Sequence, residues 1–252
     1  MRPESSFYDR LTPFYHLIHQ DWNASIQRQG EQFASLIERY WPGSRRVLDV
    51  SCGIGTQALA LAQRGYEVVG SDLSYEEVKR ADVEAKKRGL VIPFSVADMR
   101  DAASHHRDRF DVVISADNSV PHLLKDADIR VAMQQMYACL KRGGGCIITV
   151  RDYDLEPRGV NIVKPYGARV EGDRRYVLFQ VWDFEGEYCH ITFFFVEEDL
   201  GTLKVRTHAM RSQYYAVSTT TLARLMSEVG FENVSRLDDV FYQPVLIGTR
   251  VA

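Results

Sequence analysis

The chain has 252 residues, a formal net charge of -3 and 45% hydrophobic residues. This is enough apolar sequence for one large core, and the charge balance gives no general attraction to nucleic acid. No apolar run approaches membrane-spanning length, and Cys52, Cys139, Cys146 and Cys189 form no C-x-x-C pair and have no neighbouring histidine at metal spacing. The expectation is a soluble cytoplasmic protein with reduced thiols, no metal and no membrane or nucleic-acid partner.

Taken in chain order, Phe14, Leu17 and Ile18, then Ile26, Phe33, Leu36, Ile37 and Tyr40, stand at helical spacings and predict two helices, which Pro42-Gly43 ends. Strand and helix patterns then alternate: Val47–Val50, a helix over about 56–64, Glu67–Asp72, a helix over about 75–88, Pro93–Asp98, Phe110–Asp117, a helix over about 125–140, and Cys146–Asp152. That alternation predicts a parallel sheet with right-handed crossovers. After Arg151 the pattern turns β-rich. Residues 176–184, 188–196 and 203–216, separated by Glu185-Gly186 and Asp199 to Gly201, read as an antiparallel meander able to cap the ligand edge of the sheet. A helix over about 219–229, closed by Gly230, and strands near 233–237 and 244–250 return the chain to the core.

The segment from Val47 to Gln57, VLDVSCGIGTQ, is the most informative. An apolar strand ends there beside an acid and enters a turn whose Gly53 and Gly55 let the backbone bend and approach a ligand. Backbone amides at the start of the following helix attract an anionic group. Asp49 either caps that helix or orders the glycine turn. The next strand ends in Asp72, where a nucleotide-binding fold places the carboxylate that accepts ribose hydroxyls. Asp98 ends a third strand, and acids at the carboxyl ends of parallel strands converge on one crevice. The glycines and the Tyr75-x-x-x-Lys79 pair also fit an NAD-dependent oxidoreductase, although that pair follows Asp72 directly instead of standing at a later strand end.

These residues resemble the class I S-adenosylmethionine-dependent methyltransferases, whose D/E-x-x-x-G-x-G motif is matched by Asp49 to Gly55. The resemblance covers nearly the whole chain. It implies an α/β, Rossmann-like fold with a mostly parallel seven-stranded sheet, an N-terminal helical lid and an inserted antiparallel β cap. It divides one domain into a lid (1–41), a cofactor-binding core (42–155), the cap (156–216) and a return to the core sheet (217–252). It also implies S-adenosylmethionine as cofactor and S-adenosylhomocysteine as product. Ser51, Gly53 and Gly55 are implied at the glycine turn with Asp49, Asp72 and Leu73 at the ribose, and Asp98 and Met99 at the adenine. Asp117 stands in the loop that faces the methyl group. Gly143 to Gly145 look like the turn before the fifth strand. Arg28 is implied as partner of the cofactor carboxylate, which an Arg fork holds bidentately, with Tyr15 and Trp22 in a segment folding over the cofactor. Arg28 as a solvated helix residue and these aromatics as hydrophobic anchors are the alternatives.

A narrower likeness is to glycine and sarcosine N-methyltransferases, through Asn118-Ser119-Val120-Pro121-His122-Leu123 and Arg151-Asp152-Tyr153-Asp154. It implies that Asn118 and Arg151 hold a substrate carboxylate, with His122 and Tyr153 beside them, and that the acceptor is the amine of a small amino acid. An ion pair of Arg151 with Asp117 or Asp152 is the structural alternative, since an unpaired guanidinium beside a buried strand is costly. His122 has a free pKa near 6.5 and could take a proton from the amine. The β-rich cap, with Trp182, Arg211, Tyr214 and Tyr215, also resembles that of sugar-amine N-methyltransferases. N- or O-methylation of another small molecule and a non-catalytic S-adenosylmethionine sensor therefore remain open alternatives.

Overall fold

The structure is a computed structural model and describes residues 3–251; Met1, Arg2 and Ala252, at the ends of the expected lid and return segments, lie outside the described residues. Helices α1 (Pro3–Leu11) and α2 (Trp22–Tyr40) flank a 3-10 turn at Tyr15–Ile18. Where the hydrophobic spacing predicts two helices over 14–40, one 19-residue helix forms after this short turn, because Asp21 accepts the Ala24 amide at 2.9 Å and starts α2 there.

The alternating region forms β1 (Arg46–Asp49), α3 (Thr56–Ala62), β2 (Glu67–Asp72), α4 (Tyr75–Lys87), β3 (Phe94–Val96), α5 (Ala102–His106), β4 (Phe110–Ser115), α6 (Asp126–Cys139) and β5 (Leu140–Thr149). Strands β6 (Ile162–Glu171), β7 (Arg174–Glu185), β8 (Tyr188–Asp199) and β9 (Val205–Tyr215) follow, then α7 (Thr219–Val229), β10 (Phe231–Leu237) and β11 (Val245–Arg250). The main sheet runs β10-β11-β5-β4-β1-β2-β3, with β1 parallel to both β2 and β4 and with β11 antiparallel to β5 and β10. This is the mostly parallel, seven-stranded α/β architecture that the alternation implies.

Burial on both faces explains the uninterrupted apolar strands. Val47 and Ile147 pack with Ile26, Phe33 and Leu59 on one side, whereas Leu48 and Ile148 pack with Ile129, Met133 and Leu222 on the other. Helix ends follow local chemistry. Ser74 caps α4 and Ser218 caps α7 by accepting the Glu77 and Thr221 amides, and Gly230 at φ 110° closes α7.

Two local expectations need correction. Gly143 to Gly145 lie inside β5 and not in a turn before it. A Cβ on Gly145 would lie 2.1 Å from the Trp41 ring, so the glycine admits that indole against the strand. The cap has four strands, ordered β6-β7-β8-β9, where the sequence pattern predicts three. Strand β6 contains Pro165 and a register shift before Gly167, interruptions that an edge strand tolerates. The cap's inner side, with Leu178, Trp182, Ile191 and Phe193, packs against Phe7, Leu11 and Leu17. The first residues of the chain thereby roof the carboxyl ends of the main sheet.

Candidate functional site

The strand β1 delivers Asp49 to a fully buried position, where Oδ1 accepts the Ser51 amide at 3.2 Å and Oδ2 has no partner among the described residues. Burial pushes its pKa up to about 8. The turn then bends through Gly53 at φ 52° and Gly55 at φ 94°. Gly53 donates its amide to Asp72 Oδ2 at 2.9 Å, and Ser74 donates to Asp72 Oδ1 at 2.9 Å. Burial raises the Asp72 pKa against the opposing effect of these amides.

A cavity of about 150 Å³ opens at this point. Ser51, Gly53, Asp72, Leu73, Asp98 and Met99 line it, so six of the residues singled out in the sequence meet there. Asp98 accepts the Arg100 amide at 2.9 Å and its guanidinium at 2.7 Å, and Arg100 reaches Asp128 at 3.1 Å. Asp49 stands behind the turn, and Gly55 serves packing: a Cβ on it would lie 3.2 Å from the Ala81 methyl carbon and 3.3 Å from Leu59.

A second cavity, of about 740 Å³, lies under the cap and takes in Arg28, Asp117, Asn118 and Arg151. Tyr8 and Tyr15 line both spaces, so the cavities meet at these two phenols. Arg28 donates to Ser25 Oγ at 3.1 Å and has no carboxylate within 4.0 Å among the described residues. Asp117 and Asn118 take left-handed backbone angles, φ 59° and 67°, which Asp and Asn tolerate better than most residues. Asp117 accepts hydrogen bonds from Gln57 and from the Tyr242 hydroxyl. Asn118 Oδ1 accepts the Arg151 amide at 3.0 Å, and its Nδ2 donates to the Tyr153 hydroxyl at 2.9 Å.

The Arg151 guanidinium pairs with Glu156 at 3.1 Å, not with Asp117 or Asp152, and stands 4.6 Å from the Trp182 ring centroid. Lys164 joins the same carboxylate at 2.6 Å and the same ring at 5.0 Å. Two cations thus share one anion, and of the three only Arg151 lines the cavity. Burial acts to lower the Arg151 pKa, but its phenol and carboxylate neighbours prevail and raise it.

Three expected site residues are placed differently. His122 lies on the side of the smaller cavity, where Nε2 hydrogen-bonds the Tyr8 hydroxyl at 2.7 Å and the ring packs on Tyr214. Burial lowers its pKa to about 4, so the imidazole is neutral and a poor proton acceptor at neutral pH. Tyr153 is 1% exposed and lines neither cavity; its hydroxyl holds Asn118. Trp22 also lines neither, because its indole N–H donates to Thr56 Oγ1 at 2.9 Å and its ring packs under Arg80 and Arg88. The Tyr75 and Lys79 pair lies apart from both cavities, with Tyr75 61% exposed and Lys79 paired to Glu76.

Sequence reasoning missed Tyr8, Glu77, Glu156 and Lys164. Nothing in a single sequence separates Tyr8 from the surrounding anchor aromatics, and Glu156 and Lys164 reach Arg151 only through the bend into β6. Among the described residues no group of three or more His, Cys, Asp or Glu is placed to hold a metal, and no helix is long and apolar enough to cross a membrane.

A seven-stranded sheet with a glycine turn after its first strand and acids at successive strand ends defines a class of cofactor-binding enzyme, and comparison with known proteins specifies it. Residues 47–144 match the family model described as a methyltransferase domain. The chain is 32% identical over 224 residues to a glycine/sarcosine N-methyltransferase of Parasynechococcus marenigrum (strain WH8102), covering 87% of this chain and 73% of that protein. It is 27% identical over 223 residues to the glycine/sarcosine N-methyltransferase of Aphanothece halophytica, covering 87% and 77%. Among solved structures, Streptomyces venezuelae DesVI superposes with a TM-score of 0.80 at 20% identity over 94% of this chain and 95% of that one. The amino pentose methyltransferase CalS10 of Micromonospora echinaspora does so at 0.77, also at 20% identity, over 90% and 92%. At such identities these two establish likeness of fold. The chain belongs to the class I S-adenosylmethionine-dependent methyltransferases, in the family that includes the glycine/sarcosine N-methyltransferases. It is a methyltransferase, and its methyl donor is S-adenosylmethionine.

The glycine turn fits that donor on observations of its own. A Cβ on Gly53 would lie 3.2 Å from both Tyr15 and Glu77, so the cradle stays open only for glycine. A buried oxygen of Glu77, which lines the smaller cavity, lacks a partner among the described residues, as expected of a pocket built to meet a polar ligand.

Proposed function

We propose that the enzyme methylates the amine nitrogen of a small acceptor bearing a carboxylate, of the glycine or sarcosine type. The observation that carries this reading is Arg151, whose guanidinium lines the larger cavity and shares its one carboxylate partner, Glu156, with Lys164, so that its charge is only partly compensated. Asn118 stands beside it with one amide proton left after its bond to Tyr153. An acceptor carboxylate placed against Arg151 can accept its guanidinium N–H groups, which fixes the position of the amine that must attack.

In this reading the smaller cavity holds the adenosine of the donor, with Asp72 at the ribose and Asp98 and Met99 at the base, while Ser51 and Gly53 supply the floor. Arg28, Asp117 and Tyr15 face the methionine portion. When bound, S-adenosylmethionine would supply a sulfonium methyl for in-line transfer to a nucleophile, with the neutral sulfide as leaving group. The protein's own contribution is alignment and exclusion of water, and holding two reactants in near-attack geometry is worth roughly 7 to 11 kcal/mol. Tyr8 and Tyr15, at the junction of the cavities, are the groups that align them.

The size of the chamber favours a second reading. The cavity of about 740 Å³ also takes the donor's methionine portion, yet it falls among pockets of about 300 to 1,000 Å³ and leaves room for an acceptor larger than a single small amino acid. An amino sugar is the alternative acceptor, and the fold likeness to the amino pentose methyltransferase supports it. Incubation with S-adenosylmethionine and a panel of glycine, sarcosine, other amino acids, amino sugars and hydroxy compounds, read as S-adenosylhomocysteine release, separates the two. Turnover confined to carboxylate-bearing amines supports the primary reading. Turnover confined to amino sugars or to hydroxy compounds overturns it.

A further inference from the structure

Glu77 has no assigned role in methyl transfer, yet it is the most anomalous side chain in the donor cavity. It lies in the first turn of α4, is 1% exposed, and lines the same cavity as Gly53 and Asp72. Its Oε2 would be 3.2 Å from a Cβ on Gly53, and its Oε1 is buried without a partner among the described residues. Burying a carboxyl in this way is costly unless a ligand completes it.

Among the described residues the groups facing Glu77 supply no cation. They are Asp72 from the end of β2, Asp9 and Tyr8 from α1, Tyr15 from the 3-10 turn, and Cys52 from the glycine turn. Arg100 lines the same cavity but is committed to Asp98 and Asp128. Burial first, then the Asp72 and Asp9 carboxylates, push the Glu77 pKa well above the ordinary range. The donor and its product differ by one positive charge, because loss of the methyl group turns a sulfonium into a neutral sulfide.

We propose that Glu77 is a cofactor-facing carboxylate whose ionisation makes this site favour the sulfonium donor over its neutral sulfide product. In the free enzyme burial and the two neighbouring carboxylates favour the protonated form. Binding of a cation favours the ionised form, so the proton leaves to solvent on binding. Once the cation is gone the carboxylate again favours protonation, and the product is held less firmly. Glu77 thus serves discrimination and product release, and it forms no covalent bond.

The test needs no acceptor, so its failure is distinct from failure of the amine reading. Calorimetry would give the dissociation constants of S-adenosylmethionine and S-adenosylhomocysteine at pH 6 and pH 8 for the native enzyme and for Glu77→Gln, which keeps the shape and removes the charge. In the native enzyme the preference for the donor should grow by about tenfold with pH, the equivalent of one pKa unit of coupling. In Glu77→Gln this growth should shrink to about threefold or less, the remainder belonging to the raised acids Asp49 and Asp72, with product affinity within about threefold of native. A variant that keeps the native pH dependence, or that weakens both ligands equally, overturns the proposal. A second measurement covers failure of the variant to fold. Titration of the native enzyme in two buffers of different ionisation enthalpy should show more proton release for the donor than for the product, and equal release for both overturns the proposal.

Discussion

Gly53 donates its backbone amide to Asp72 Oδ2 at 2.9 Å, so the acid at the end of the second strand also fixes the glycine turn at the end of the first. A nucleotide-binding pattern assigns that acid to the ribose. Here its two oxygens first tie the turn to the start of α4, through Gly53 and Ser74. Cofactor affinity and local stability are therefore coupled in one side chain.

Asp72→Ala should leave two amides without acceptors and destabilise the fold by about 1 to 3 kcal/mol, with at least tenfold weaker donor binding. Asp72→Asn keeps one acceptor oxygen and should lose less stability. Urea unfolding and calorimetric titration measure the two effects, and an unchanged midpoint in Asp72→Ala contradicts the coupling.

Gly53→Ala should cost about 1 to 2 kcal/mol, the penalty of holding an L-residue in the left-handed region. Its Cβ at 3.2 Å from Tyr15 and Glu77 should also push those side chains into the donor cavity. Donor binding should fall further than stability alone explains. Thermal unfolding with and without S-adenosylhomocysteine separates the terms, because the variant should lose most of the shift that the ligand produces.

Tyr153→Phe removes the acceptor of the Asn118 amide, and the expected loss of stability is about 1 kcal/mol. Asn118 sits between Tyr153 and the Arg151 amide, so the acceptor KM should rise several-fold while the donor dissociation constant stays constant. Equal changes in both would place Tyr153 outside acceptor positioning.

Burial raises the Asp49 pKa from the usual 3.8 to about 8 in the folded protein. Between about pH 4 and pH 8 the native state therefore keeps a proton that the unfolded chain has released, and stability falls as pH rises through that window. Asp49→Asn should flatten this slope by an amount on the order of a few kcal/mol in total, without abolishing it, because Asp72 and Glu77 are shifted in the same direction. Unfolding free energies of the free enzyme at pH 5 and pH 8 measure it, and an unchanged slope contradicts a protonated Asp49.

Much of the main sheet was legible in the sequence because parallel strands buried on both faces are continuous apolar runs. Glu67–Asp72 is bounded as the structure has it, and Gly230 marks the end of α7. Strand β6 was not legible: Pro165 and Gly167 interrupt its pattern, and only edge placement makes them acceptable. Residues that meet at strand ends, such as Gly53, Asp72 and Asp98, could be grouped because topology brings them together. Trp22 and Tyr153 show the opposite case, since a polar tip committed to a neighbouring side chain cannot be read from composition or spacing. The partner of Arg151 was hidden for a related reason: Glu156 is five residues away, and its second cation comes from the unrecognised strand.

In the proposed reading Arg151 belongs to the acceptor's part of the larger cavity and takes no part in holding the donor. The direct measurement is calorimetric titration of Arg151→Ala, first with S-adenosylhomocysteine and then with glycine or sarcosine. The donor-side dissociation constant should stay within about twofold of native, and acceptor binding should weaken by at least a hundredfold, about 2.7 kcal/mol, the scale of a truncated charge pair. Loss of both affinities together, or retention of acceptor binding, would contradict it.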